Sequence, residues 1–284
     1  MSMPEIAVAN DGVSVVIPVH NVAEKLDACV QAWLDTLNQL GREYELILVD
    51  DGSTDTTRIN LDELAAKHPT IRLLKHLTKQ GFGACLRTAL PETKYPLFFY
   101  TAFDYPYTPS DITPFFERLN VFDERINQKT ALVAGCRAGV PVPGGWKAIG
   151  STYRFFTNYA LGIPIDPLAG WLGLREHVRS WRAWLVYGVP LTDPNCAFKL
   201  YRKAIFDKFP IQSNGDFVHV EIVAKCTFLT SIIDEVLLTP KPDPIPATDW
   251  SDSGEIFRNP KFFTPPIVVP ESVPDTVEPT PQCS

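Results

Sequence analysis

The sequence predicts an α/β fold, a mostly parallel, doubly wound sheet with helices on both faces. Continuous apolar, β-branched runs recur through the first half of the chain, as strands buried on both faces require. Segments with helical spacing of apolar residues separate those runs, supplying the crossovers a parallel sheet needs. Polar and charged residues follow the runs directly, where ligands of such sheets bind.

The first run is VSVVIPV (13–19), followed by EKLDACVQAWLDTLNQL (24–40), which spaces Leu26, Cys29, Val30, Trp33, Leu34 and Leu37 along one helix face. YELILVD (44–50) is the second strand, and DGSTDTTRINLDELAAKH supplies a turn and then a helix. IRLLKH is the third strand, GFGACLRTAL a helix opened by a glycine turn, and PLFFYTA the fourth strand. PSDITPFFERLN begins with capping chemistry, and ALVAGCR (131–137) is a further strand. Residues 147–190 read as two helical blocks joined by IPIDPLAGWLG, and residues 217–238 as a helix, FVHVEIVAKCTF, followed by a strand, SIIDEVLL. The expected organisation is an N-terminal extension (1–11), one domain (12–240) and a proline-rich tail (241–284). The tail, with KPDPIPATDW and FTPPIVVPESVPDTVEPTPQ, is expected to be extended or disordered.

Composition narrows the function classes. A chain of 284 residues with 45% hydrophobic and 21% charged residues has ample core for a soluble globular domain. A net charge of −7 argues against broad nucleic-acid binding. No apolar run approaches the roughly 20 residues of a spanning helix, and MSMPEIAVANDG lacks the basic start and apolar core of a leader. The six cysteines form no CxxC pair, which points to reduced thiols and a cytoplasmic protein rather than a disulfide framework or zinc site. The five histidines are equally dispersed and read as packing or surface residues.

The chemistry-bearing residues converge on one sheet edge. His20 and Asn21 follow the first strand, Asp50 and Asp51 close the second, Asp104 follows the fourth, and Arg137 ends the strand at 131–137. Within VDDGSTD (49–55), the adjacent carboxylates suit hydrogen bonds to a base N–H or a ribose hydroxyl. They equally suit an Asx turn and a helix cap.

Taken with VVIPVHN, VDDGSTD resembles the opening of the family 2 glycosyltransferases, which have the Rossmann-like GT-A fold. KQGFGACLRTAL (79–90) is similar to that family's glycine-rich turn, and AGCRAG (134–139) to its GxR segment. LTDPNCAFKLYRK (191–203), SNGDFVHVEIVAK (213–225) and IIDEVLLT (232–239) resemble elements of the polyprenyl-phosphate mannosyl- and glucosyltransferase branch. The ordered set covers about residues 12–240.

The resemblance implies inverting transfer of a hexose from a UDP- or GDP-linked sugar to a polyprenyl phosphate, with Mg2+ or Mn2+ as cofactor. It implies that Pro18, His20 and Asn21 line the base and ribose pocket with Asp50 and Asp51, and that Gly81 belongs to the donor-side turn. Arg87 either supports the diphosphate or is a helix-surface arginine. Asp104 would hold the metal and diphosphate, and Arg137 would sit near the sugar or the acceptor phosphate. Charge that builds on the leaving diphosphate is what such cations stabilise. A phosphate acceptor needs cationic positioning. A hydroxyl acceptor needs a base, for which Asp216 and Glu221 are candidates, with Asp193 ordering the site; each of these acids also suits a cap or a structural acceptor.

The chain departs from the family pattern at the fourth strand. FFYTAFDYPYTPSDI places Ala102 and Pro106 where the pattern has an acid and a glutamine, while Asp104, Pro109 and Asp111 remain. Lys79, Val22 and Ala89 also replace the usual asparagine, glutamate and glycine. The metal is held by Asp104 and diphosphate alone, or protein cations such as Lys79 or Arg137 replace it, or the chain is an inactive nucleotide-sugar-binding module. REHVRSWRAWLVYG (175–188) reads either as an amphipathic core helix or as a basic, tryptophan-bearing helix for peripheral contact with the inner face of a membrane.

Overall fold

A computed structural model describes residues 11–103, 107–123, 128–137, 193–239 and 250–263, together with residues 183, 185, 188, 189 and 191. The expected N-terminal extension up to residue 10, the helical blocks within 147–190 apart from those isolated positions, and the tail beyond 263 lie outside the described residues.

Strands β1 (Val13–Val19), β2 (Tyr44–Asp50), β3 (Ile71–Lys75), β4 (Leu97–Thr101), β7 (Leu132–Arg137), β8 (Phe198–Arg202) and β9 (Ile233–Leu238) form one sheet in the order β3-β2-β1-β4-β8-β7-β9. A short hairpin, β5 (Phe122–Asp123) with β6 (Gln128–Lys129), stands apart. β8 runs antiparallel to both β4 and β7, and the remaining pairings are parallel, so the sheet is mostly parallel as expected. The chain runs outward from β1 through β2 to β3 and then returns to β4 on the other side of β1. That reversal makes a crevice beyond the carboxyl ends of β1 and β4.

Alternation in the strands divides the core into two layers, one per sheet face. Val13, Val15 and Ile17 of β1 face a layer built with helices α1 (Leu26–Gln39) and α4 (Thr113–Leu119), including Trp33, Leu37, Phe115 and Phe116. Val16 of β1, with Ile47 and Val49 of β2, faces the opposite layer. Helices α3 (Phe82–Ala89) and α5 (Val218–Phe228) fill that layer. Burying each of these large side chains stabilises the fold by about 1.5–3 kcal/mol. Helix α2 (Thr57–Lys67) packs Leu61 and Leu64 into the first layer, and its start is fixed where the Thr57 N–H donates to Asp55 Oδ1 at 2.9 Å.

Two elements differ from the sequence expectation. FKLYR, recognised only as a motif, is strand β8, because its lysine hides the apolar alternation. Phe198 and Leu200 enter one layer and Tyr201 the other, while the fully buried Lys199 turns its ammonium to the carbonyl oxygens of Pro194, at 3.0 Å, and of Cys196. The tail expected to be extended or disordered from residue 241 contains helix α6 (Ser253–Arg258), with Ile256 buried and Trp250 and Phe257 packed against the second layer. A single apolar face of so short a helix leaves no periodicity to read.

Candidate functional site

The carboxyl ends of β1 and β2 are tied into one corner. The Asp51 N–H donates to the Val19 carbonyl at 2.9 Å, and His20 Nδ1 donates to the Asp51 carbonyl at 3.0 Å, with Nε2 3.5 Å from Asn21 Nδ2. Asn21 adopts φ 52°, a left-handed value that asparagine tolerates. Its N–H reaches Ser53 Oγ at 3.1 Å, and its Oδ1 accepts the Thr54 N–H at 2.8 Å. The Val22 N–H donates to Thr57 Oγ1 at 2.9 Å. His20 and Pro18 are half-buried, and Asn21 and Thr54 are exposed, so these groups form the accessible lip of the corner.

The two acids behind that lip are engaged by the protein itself. Asp50, fully buried, accepts the Ser53 N–H at 2.9 Å and Arg58 Nε at 2.8 Å. Asp51, 4% exposed, accepts His76 Nδ1 at 2.9 Å and the N–H groups of Gln80 and Gly81, each at 2.8 Å. Burial raises both carboxyls, but these hydrogen bonds outweigh it and hold both below the usual carboxylate range. Both carboxylates therefore sit behind the lip with protein donors already bound to them.

His76 was read from sequence as one of the dispersed histidines. It follows β3 directly, on the same sheet edge as the other candidates, and that position is the signal that could have found it. Asp51 fixes its proton on Nδ1, and its Nε2 pairs with Thr88 Oγ1 at 3.0 Å. Asp51, His76 and Cys85 place an oxygen, a nitrogen and a sulfur within 4.8 Å of one another. This set does not fit Mg2+ or Mn2+, which prefer oxygen ligands. Burial, reinforced by the Asp51 charge, also pushes the Cys85 thiol up. We read the cluster as a hydrogen-bonded brace between β2, β3 and α3.

The glycine turn leads into a second brace. Gly81, at φ 101°, and Gly83 face the loop before α5: a Cβ on Gly81 would lie 2.5 Å from the Asn214 carbonyl oxygen, and one on Gly83 would meet that of Ser213. The Ala84 N–H donates to the same Asn214 oxygen at 3.2 Å. The Arg87 guanidinium donates to the carbonyls of Ile211, Gln212 and Ser213 at 3.2–3.4 Å and to Asn214 Oδ1 at 2.5 Å. Arg87 thus anchors the 211–214 loop, and the Gly81 N–H is turned to Asp51.

Glu221 is engaged by the protein too. It is 1% exposed and accepts the N–H groups of Gln212 and Ser213 at 2.8 Å each, plus Lys225 Nζ at 2.7 Å. A general base needs access to its substrate, and this carboxylate is buried among three protein donors. Burial lowers the Lys225 ammonium, and the Glu221 charge opposes that shift. Asp216 is half-buried in the turn before α5, where its carbonyl accepts the His219 N–H at 3.2 Å. Asp193 is fully buried, with its N–H 3.4 Å from Glu235 Oε1 at the end of the sheet formed by β7 and β9.

Ala102 lies half-buried just beyond β4 and offers no metal ligand. Asp104 lies outside the described residues; Arg137 ends β7 opposite Leu238, and its side chain also lies outside them. Asp111 is a capping residue, accepting the Thr108 N–H and hydroxyl at 2.8 Å each. Among the described residues, no helix is long and apolar enough to cross a membrane. In the 175–188 segment only Ala183, buried, Leu185, exposed, and Gly188, exposed, are described.

The reversal in strand order and the β1–β2 corner beside it define an α/β protein of the GT-A type, with its ligand crevice at the carboxyl edge. The chain belongs to glycosyl transferase family 2: the family model matches residues 14–209, more than half of its length. An undecaprenyl-phosphate 4-deoxy-4-formamido-L-arabinose transferase of Pectobacterium carotovorum is 41% identical over 71 residues, 25% of this chain and 21% of that protein. A chondroitin synthase of Escherichia coli is 37% identical over 78 residues, 28% of this chain and 11% of that protein. The matched stretches thus span about a fifth or less of these relatives. Glucosyl-3-phosphoglycerate synthase from Mycobacterium tuberculosis, solved with Mn2+, UDP and phosphoglyceric acid, shares the fold. It superposes with a TM-score of 0.51 and 17% identity, covering 87% of this chain and 74% of that one.

Proposed function

We propose that the protein transfers a hexose, with inversion, from a UDP- or GDP-linked sugar to a polyprenyl phosphate. The observation that carries this reading is the His20–Asn21–Ser53–Thr54 lip, set beside the β1/β4 crevice of a family 2 domain. The lip presents an imidazole, an amide and hydroxyls, groups suited to a nucleoside's base and ribose. Relatives named as undecaprenyl-phosphate transferases support the acceptor class. An acceptor phosphate oxygen attacks the anomeric carbon as the bond to the diphosphate oxygen breaks, and the electron pair leaves on the diphosphate. The acceptor is already ionised, so no general base is required.

A divalent cation, Mn2+ or Mg2+, would neutralise the leaving diphosphate, with Asp104 as its protein ligand because Ala102 cannot serve. The test is product formation from UDP- and GDP-sugars with undecaprenyl phosphate, with and without Mn2+. Asp104→Ala should abolish transfer without lowering the unfolding midpoint, and wild-type turnover by that variant would remove Asp104 from the site. Ala102→Asp should tighten the dependence on Mn2+; an unchanged metal response would favour protein cations in the metal's place.

Ala102 also favours a second reading, a nucleotide-sugar-binding module that transfers nothing. Any detectable product eliminates it. Transfer to a saccharide hydroxyl would leave Asp216 as the candidate base, since Glu221 is buried.

A further inference from the structure

The segment from Trp250 to Phe263 crosses two parts of the domain, the approach to β8 and the loop before α5. At one end, Trp250 Nε1 donates to Asn195 Oδ1 at 3.1 Å, in the segment that leads from Asp193 into β8. Its ring packs edge-on against Phe217, 5.4 Å between centroids, and Phe257 of α6 packs against the same ring at 5.4 Å. Two residues on, Asp252 Oδ2 accepts the Asn214 N–H at 3.1 Å and lies 3.5 Å from the Gly215 nitrogen, in the turn that carries Asp216. The segment then follows the same loop outward. Gln212 Nε2 donates to the Asn259 carbonyl at 3.1 Å, the Lys261 N–H reaches Gln212 Oε1 at 2.6 Å, and the Phe263 N–H donates to the Lys208 carbonyl at 2.8 Å.

We propose that Trp250 and Asp252 are positioning residues, which together strap the wall carrying Asp193 to the wall carrying Asp216 and so set the width of the acceptor side of the site. The contacts fall one and two residues from those acids: Gly215 adjoins Asp216, and Asn195 lies two residues after Asp193. The loop held by Asp252 is also the one whose carbonyls fill the notches of Gly81 and Gly83. That turn hands its amides to Asp51 behind the donor lip. Asn195 is 1% exposed, so the Trp250 end is seated inside the domain, while Asp252 holds the exposed Asn214 at its surface. A hydrogen-bonded chain between two walls fixes reacting groups where a loose wall would lose turnover. The catalytic part of this inference rests on the transferase reading above; the strap itself does not.

The experiment uses the full chain with Trp250→Phe, which keeps the ring packing and removes the N–H donor, and with Asp252→Ala and Asp252→Asn. Amide hydrogen exchange is read at residues 193–197 and 213–216. A strap predicts that cutting one end loosens the other: Asp252→Ala speeds exchange at 193–197, and Trp250→Phe speeds it at 213–216. Asp252→Asn, which retains an acceptor oxygen, restores protection. Loosening confined to the altered end overturns the strap, whether or not the chain transfers sugar. If the wild type forms product, Trp250→Phe and Asp252→Ala should lower kcat about tenfold, a barrier change of about 1.4 kcal/mol. The affinity for UDP- or GDP-sugar should stay unchanged. An unaltered kcat, or a loss explained by weaker donor binding, overturns the positioning role. Absence of product from the wild type counts against the transferase reading alone, and the exchange data then decide the strap.

Discussion

The β1–β2 corner and the loop at 211–215 are built from the same kinds of residue and do opposite work. At the corner, polar side chains crosslink two strand ends and leave an imidazole, an amide and hydroxyls at the surface. At the loop, Arg87, Glu221 and Asp252 spend their charges on backbone groups within the protein. A charged residue in a family motif is therefore a candidate for ligand contact only after its own hydrogen bonds are accounted for. The corner should respond to substitution mainly in binding, and the loop mainly in stability.

The largest effect is expected at Glu221. Its removal leaves the Lys225 ammonium buried and takes the acceptor from two amides. Breaking such a pair from one side costs about 3–5 kcal/mol. Glu221→Ala should lower the urea midpoint accordingly, and Glu221→Leu combined with Lys225→Met should recover much of the loss. A Glu221→Ala protein of native stability but no turnover would return this residue to the catalytic list.

Gly81→Ala comes next. The position requires φ 101°, and the added methyl would press on the Asn214 carbonyl oxygen. Strain of this kind costs of order 1–3 kcal/mol. The damage should appear as lost stability and faster exchange in the 213–216 turn. An unchanged unfolding midpoint would mean that the turn and loop are not interlocked.

His76→Phe should destabilise by about 1–3 kcal/mol, because it leaves buried Asp51 short of one donor. The same carboxylates set the acid limit of the fold. Because Asp50 and Asp51 are depressed in the folded state, their contribution is complete above the unfolded value of about 3.9 and is lost as pH falls through the lower folded value. Wild-type stability should therefore fall below about pH 4. His76→Phe should shallow that acid limb, and an identical limb in the variant would show that Asp51 gains nothing from His76.

Much of this comparison was hidden from the sequence for a physical reason. Strands β1, β2, β3 and β4 announce themselves through local apolar runs, and their ends place His20, Asn21, Asp50 and Asp51 on one edge. Contacts across many residues leave no such trace. Arg87 meets residues 211–214 and Asp252 meets 214, pairings set by packing within the second layer. FKLYR was obscured by a lysine whose partners are carbonyls of its own approach segment, and α6 by the prolines around it.

The smallest effect on stability, and the sharpest on function, is expected from His20→Ala. The side chain is half-buried and makes one bond to the Asp51 carbonyl, with a long 3.5 Å approach from Asn21 Nδ2. Stability should change by no more than about 0.5 kcal/mol. Loss of one well-placed contact to a nucleoside weakens affinity about tenfold, equivalent to about 1.4 kcal/mol. Calorimetric titration of wild type and variant with UDP and GDP separates the alternatives. Weaker nucleotide binding at unchanged stability assigns the corner to the donor. Unchanged affinity at unchanged stability would remove the donor from the corner, and with it the main support for the transferase reading. Lost stability would show that the corner, like the 211–215 loop, is a brace.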